Sequence, residues 1–355
     1  MKEFLPRDLY FVKLCKKRFY LYAFITMKIG IIGLPNVGKS TLFKALTKKE
    51  ILIANYPFAT INPNVGVVAL PDERVQKLSA MSKSKKTIPA IVEFYDIAGL
   101  VKGASEGQGL GNQFLAHIRE TAAIVHVVRC FNASDILHVE ESVNPLRDID
   151  IINTELILKD FETMQKRMEK LAGEAKRGQK DSQKTLETLK KLEQAFNENA
   201  LALTLREEFL LQEIVKELCL LTAKPQIYLF NGKESDVSNE LKQKVRGDYV
   251  VANLGAGESV GVLIEKCYEI LGLISFFTTG EDETRAWTIK KGIKAPHAAA
   301  VIHTDFEKKF IKAEVINWQK LLEVGSWQVA RQRGWMRIEG KEYVVQDGDV
   351  IEFKV

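Results

Sequence analysis

The feature that most constrains this chain is the run Gly33-Leu34-Pro35-Asn36-Val37-Gly38-Lys39-Ser40, which fits GxxxxGK[ST]. It lies between an apolar strand-like stretch, KIGII, and a helical one, STLFKALT. In that setting the glycines let the loop curl, so that backbone N–H groups and the start of the next helix surround a phosphate chain. Lys39 then reaches the β and γ oxygens as the catalytic cation, and Ser40 ligates Mg²⁺. A chance glycine turn does not account for both flanks.

Further on, Asp96-Ile97-Ala98-Gly99 closes the hydrophobic strand IVEFYD. A DxxG in that position places an aspartate on the Mg²⁺ shell and a glycine amide, here Gly99, near the γ-phosphate, which makes the segment a γ-phosphate-sensing switch. Thr60, in NYPFATINPNVG, is the candidate for the other switch, its hydroxyl completing the metal coordination. Leu100 follows Gly99, where Ras-like GTPases place a water-orienting glutamine, and an apolar side chain cannot orient water. Hydrolysis must then be slow or draw on another group. His126, in AAIVHVVRC, is the nearest polar candidate, although a histidine in such a strand is more often a core residue.

The base-reading position departs as well. Asn231-Gly232-Lys233-Glu234 follows IYLF where GTPases carry NKxD, whose aspartate accepts two hydrogen bonds from guanine. Glu234 is one methylene longer, which displaces that geometry, and the loss of matched polar contacts lowers affinity steeply. Adenine becomes the expected base, with the surface-turn reading as the alternative.

Apolar runs alternate with helical stretches from Lys28 to Cys130, the sign of an α/β doubly wound parallel sheet, and PQIYLFN continues the pattern downstream. Between them lies a helical insertion. Ile157, Phe161, Met164, Met168 and Leu171 form a heptad seam, and Leu186, Leu189, Leu192 and Phe196 form a second stripe, so an antiparallel helical hairpin is expected. From Lys166 to Lys191 its tip holds nine basic and four acidic residues, which suits RNA phosphate as well as it suits a solvated face. Short strands and turns after Phe276, with Asp347-Gly348 near the end, read as a separate small α+β domain. The expected division is residues 27–145 and 206–272 for the nucleotide domain, 146–205 for the hairpin and 273–355 for the C-terminal domain.

The charge of +5 invites a polyanion-binding reading, but Lys2, Arg7, Lys13, Lys16, Lys17 and Arg18 against Glu3 and Asp8 supply +4 of it within residues 1–26. Any nucleic-acid contact must therefore be local. Cys15, Cys130, Cys219 and Cys267 are too scattered for metal pairs or a disulfide framework, which fits a reducing cytoplasm. The stretch KLCKKRFYLYAFITM imitates a signal peptide poorly, being too short to span a membrane, and Met27 is the expected functional start.

Taken together, GLPNVGKSTLF, NYPFATINPNVGVV, YDIAGLVKGASEGQGLGNQFL, HVVRCF, RAWTI and IHTDFEKKFIKAEVI resemble the Obg-like ATPase (YchF) subfamily of the translation-factor-related P-loop GTPases, over residues 27–355. The resemblance implies a nucleotide domain interrupted by a coiled-coil hairpin, then a C-terminal TGS domain of ubiquitin-like β-grasp fold. It also implies ATP hydrolysis with Mg²⁺ and association with ribosomes or ribosomal RNA. Carried over by position, Gly33 and Asn36, Val37, Gly38, Lys39, Ser40 and Thr41 hold phosphates and metal. Thr60 and Asp96 complete the metal shell, and Asn231, Gly232 and Glu234 lie at the base. The chain departs from the subfamily at Asn62, where an acidic residue is common, at Gly232, where a larger apolar residue is usual, and in the loosely matching VVANLGAGE. Two other readings stand beside the slow ATPase: a GTPase of the Obg type, and an RNA- or ribosome-binding module in which the nucleotide is structural.

Overall fold

A computed structural model of the chain describes residues 28–47, 65–96, 118–131, 142–176, 180–210, 212–245, 248–256 and 260–355. Its N-terminal half supplies strands β1 (Lys28–Ile32), β2 (Val65–Ala69), β3 (Lys86–Ile88), β4 (Ile91–Asp96) and β5 (Ala123–Arg129), followed by β6 (Gln226–Asn231) and β7 (Tyr249–Ala252). All but β3 form one sheet in the order β2-β4-β1-β5-β6-β7. The five strands from β4 to β7 in that order are parallel, and β2 runs antiparallel to β4. Every residue of β5 and β6 is buried, which explains why AIVHVVR and QIYLFN read as unbroken runs: a parallel strand covered on both faces has no solvent side. Helix α1 (Lys39–Thr47) leaves the end of β1 and buries Leu42 and Leu46. Helix α2 (Glu73–Ser82) starts at Asp72, whose carboxylate accepts from the Arg74 amide, and ends at Lys83 in the left-handed conformation.

Two long helices, α3 (Pro145–Lys176) and α4 (Lys180–Asn197), lie between β5 and β6 in sequence. The two stripes expected of them meet. Ile157, Met164 and Leu171 share one buried cluster with Leu189, Leu192 and Phe196, while Phe161, Met168 and Leu186 pack on its margin. Where α3 approaches the nucleotide domain, Asp160 is fully buried and accepts from Leu221 N at 3.0 Å, Thr222 N at 2.8 Å and Thr222 Oγ1 at 2.7 Å. Burial pushes this carboxyl up, while the three donors and Arg119 pull it down.

The second sheet is built from β8 (Leu273–Thr279), β9 (Glu283–Lys290), β10 (Lys312–Asn317), β11 (Arg337–Glu339) and β12 (Asp349–Lys354). Its order is β11-β10-β12-β8-β9-β3, so it ends on a strand that the nucleotide domain contributes. Strand β3 runs parallel to β9, with Lys86, Thr87 and Ile88 opposite Glu283, Thr284 and Arg285. One face packs on helix α5 (Ala295–Ile302) through Phe276, Ile289, Ala298 and Ile351. On the other face, Phe277, Ala286, Ile316 and Val350 belong to the same apolar cluster as Ile29, Val75 and Leu78 of the nucleotide domain. Arg74 ties the seam: it donates to both Asp72 oxygens and at 2.6 Å to Asp347 Oδ2, with its guanidinium 5.1 Å from the Phe277 ring centre. The small C-terminal domain expected as separate thus shares a sheet and a core with the nucleotide domain, because residues 72–88 belong to both packing units.

No helix among the described residues is long and apolar enough to cross a membrane.

Candidate nucleotide-binding site

The loop between β1 and α1 takes three residues with positive φ: Gly33 at 149°, Asn36 at 60° and Gly38 at 106°. Sterics make the glycines obligatory. A Cβ on Gly33 would lie 2.4 Å from the Val127 carbonyl oxygen, and one on Gly38 would lie 2.3 Å from Asn231 Nδ2. Lys39 opens α1 and folds its side chain back over the loop, donating to Leu34 O at 2.6 Å and Gly33 O at 3.0 Å. Burial lowers its pKa, and Asp96 opposes that fall. The hydroxyl-bearing Ser40 and Thr41 are exposed at the helix start, as is Asn36, whereas Val37 is buried beneath the loop.

Asp96 comes to the same place through the sheet, pairing with Ile31 two positions before Gly33. Burial raises its pKa and the Lys39 ammonium lowers it. Its Oδ1 is buried without a hydrogen-bond donor among the described residues. A buried carboxylate oxygen with no donor among the described residues, within the influence of the Lys39 ammonium and beside a loop that exposes the Ser40 hydroxyl, suits a hydrated divalent cation, which needs only one or two protein oxygens when phosphates supply the rest. Those residues fit Mg²⁺. Thr60, Gly99 and Leu100, together with Asn62 and residues 1–27, lie outside the described residues.

His126 sits one strand over, opposite Ile32 on one side and Tyr228 on the other. It is 1% exposed, its ring centre lies 5.2 Å from that of Tyr228, and Nδ1 has no partner among the described residues. Burial first, then the Lys39 charge, push it down to about 3. A histidine that stays neutral at every physiological pH and has no surface for water favours the core reading over the catalytic one.

The expected base motif is assembled from distant segments. Asn231, 3% exposed, donates from Nδ2 to Val37 O at 2.9 Å and accepts from Leu254 N at 3.2 Å, so one side chain joins the phosphate loop to the loop after β7. Gly232 N donates to Ala252 O at 3.3 Å, and the residue backs onto Cys130. Lys233 N is capped by Asp236 Oδ2 at 2.8 Å. The Glu234 side chain, 68% exposed, takes a bond from Lys242 Nζ at 2.5 Å. Sequence reasoning found Asn231 and Glu234 but gave no sign of Leu254, Cys130 or Lys242. Each of these reaches the site through the packing of β5, β7 or the short helix Asn239–Lys244, and no local periodicity marks them.

Known proteins resemble this chain over most of its length. Residues 28–164 match a family described as 50S ribosome-binding GTPase, and residues 273–355 match the C-terminal family of YchF GTPases, described as a protein of unknown function. The ribosome-binding ATPase YchF of Bacillus subtilis is 46% identical over 93% of this chain and 99% of its own length. Its counterpart from Escherichia coli O157:H7 is 44% identical over 92% of this chain and 98% of its own length. The solved YchF GTPase of Schizosaccharomyces pombe superposes with a TM-score of 0.80 at 38% identity, covering 93% of this chain and 98% of that one. The phosphate loop, Asp96 at the end of β4 and these full-length matches carry one conclusion: the chain belongs to the YchF family of P-loop nucleotide hydrolases.

Proposed function

We propose that this chain is a slow, Mg²⁺-dependent ATPase that acts as a nucleotide-controlled switch on ribosomes. The observation that carries the reading is the placing of Lys39, the Asp96 oxygen with no donor among the described residues and the exposed Ser40 hydroxyl at a loop that requires glycine at positions 33 and 38. In this reading Gly33 and Asn36 to Thr41 hold the phosphates. Ser40, Asp96 and Thr60 hold the metal, Gly99 senses the γ-phosphate, and Asn231, Gly232 and Glu234 border the base. Mg²⁺ supplies neutralisation of the β and γ oxygens. Lys39 moves its ammonium from two loop carbonyls onto phosphate, and the dry wall made by Val37 and the buried strands strengthens that contact.

The bacterial relatives named as ribosome-binding ATPases support ribosome association and adenine as the base. Exposed Lys166, Lys170, Lys184, Lys190 and Lys191 on α3 and α4 suit RNA phosphate, and the shared core of those helices supports a coiled-coil hairpin. The parallel pairing of β8 with β12 and the helix α5 across one face support a TGS domain of β-grasp type. A GTPase reading is favoured by the family matched over residues 28–164. Isothermal titration of purified protein with non-hydrolysable ATP and GTP analogues, with and without Mg²⁺, decides between them. Tighter binding of the ATP analogue, with co-sedimentation on ribosomes that depends on it, is expected. Tighter binding of the GTP analogue overturns the adenine assignment.

A further inference from the structure

Alternate residues of a strand face opposite sides of a sheet, and β6 divides its side chains accordingly. Leu229 packs into the large core on the side of the phosphate loop, and Asn231 points the same way to reach Val37 O. Tyr228 and Phe230 face the other side, in a cluster with Val128, Val237, Leu241 and Val245 that Tyr249 borders. Lys242 stands over that second side. Its Nζ lies 5.9 Å from the Tyr249 ring centre, and the Tyr249 ring stacks on Phe230 at 5.4 Å. Tyr249 pairs with Tyr228, three residues before Asn231, so the ammonium is drawn towards the beginning of the strands. Nucleotides in open α/β sheets bind beyond the carboxyl ends. Holding Glu234 at 2.5 Å, Lys242 therefore draws its carboxylate to the face and towards the strand end where the phosphate loop does not lie.

We infer that Lys242 is a positioning residue that sets base preference, by withholding the Glu234 carboxylate from a purine seated beside Asn231; this rests on the reading of Asn231 to Glu234 as the base-facing motif. The chemistry gives the direction. Guanine offers two donors on one edge, N1–H and the exocyclic amine, and needs an anionic acceptor for both. Adenine offers a single amino donor beside a ring acceptor and gains little from a carboxylate there. A carboxylate occupied by a lysine on the opposite face removes the guanine-specific contact and leaves adenine binding nearly untouched. Both groups are solvated, so the bias is modest: an exposed pair changes an equilibrium by about fivefold at most.

The test measures the affinities of ATP and GTP analogues by titration on the full chain carrying Lys242→Met, Lys242→Arg, Glu234→Asp, or Lys242→Met with Glu234→Gln. Lys242→Met is expected to raise GTP-analogue affinity relative to ATP-analogue affinity by about two- to fivefold. Lys242→Arg keeps the pair and the wild-type ratio, and the double variant abolishes the gain. An unchanged circular dichroism spectrum and thermal midpoint in every variant report an intact fold. If Glu234→Asp shifts the ratio while Lys242→Met leaves it unchanged, the inference about Lys242 falls and the base motif stands. If neither shifts it while both nucleotides still bind, the base-facing reading falls as well.

Discussion

The two ends of the proposed nucleotide site are built differently. The phosphate end is a single stretch from Gly33 to Thr41, whose conformation follows from three positive-φ positions and the helix that begins at Lys39. The base end is a junction of the β6 end, the loop after β7, the strand end at Cys130 and the helix that carries Lys242. Asn231 is the joint between them. A contiguous loop can bind triphosphate with little help from its surroundings, because backbone amides and one lysine are already aligned by the chain itself. Base choice depends on how four segments pack, so it is the part of the site most easily altered without loss of nucleotide binding.

Breaking the joint should have the largest effect. Asn231→Ala leaves Val37 C=O and Leu254 N–H buried without partners among the described residues, at about 1–3 kcal/mol for each group. A lowered midpoint in urea unfolding, with weaker binding of both nucleotides, is the expected result. Unaltered stability would mean that the two ends are held together by other contacts. Lys39→Ala touches the phosphate end alone. It should weaken both analogues equally, by about 10- to 100-fold given about 1.5–3 kcal/mol for a bond to a charged group, with the circular dichroism spectrum unchanged. Unequal losses for ATP and GTP would show that the lysine also senses the base.

His126 separates the site from the core beneath it. Its native pKa of about 3 lies below the ordinary 6.5, so between those values the unfolded chain binds a proton that the native chain refuses. The stability linked to this group is present above pH 6.5 and is lost as pH falls towards 3, at up to about 1.4 kcal/mol per pH unit. His126→Phe should flatten that part of the stability profile and leave nucleotide hydrolysis at pH 7.5 near wild type. A large loss of turnover at constant stability would restore the catalytic role. The smallest effect belongs to Gly232→Val, whose Cβ would lie 3.1 Å from Asp236 Oδ2 and 3.2 Å from Cys130 Cβ. The neighbours must yield slightly, so a shift in the ATP to GTP ratio is expected with about 1 kcal/mol of destabilisation, the low end of what overpacking costs.

Much of the fold was legible because it is written in local patterns. The unbroken apolar runs of β5 and β6 mark strands buried on both faces, and the heptad seam and the second apolar stripe mark the surfaces on which α3 and α4 meet. The phosphate loop was legible for the same reason: glycine at positions 33 and 38 is demanded by the Val127 carbonyl and by Asn231, and its spacing to Lys39 is fixed by the turn. His126 was legible only in part. Its place in an apolar strand announced burial, but its neutrality comes from enclosure between Ile32 and Tyr228 and from the nearby Lys39 charge, which lies 87 positions away in the chain.

By itself, then, the sequence determined the phosphate-binding loop, the parallel sheet that presents it, the helical pair and the family to which all of them belong. Each depends on residues close together in the chain, where spacing and backbone sterics act directly. Only the tertiary structure decided that β3 completes the C-terminal sheet, that Arg74 links Asp72 to Asp347 across the seam, and that Lys242 holds Glu234 on the face away from the phosphate loop. Those contacts join side chains whose separation in sequence carries no periodic signal. They form because burying the apolar faces of two sheets and their helices leaves few places for the remaining charges to find partners.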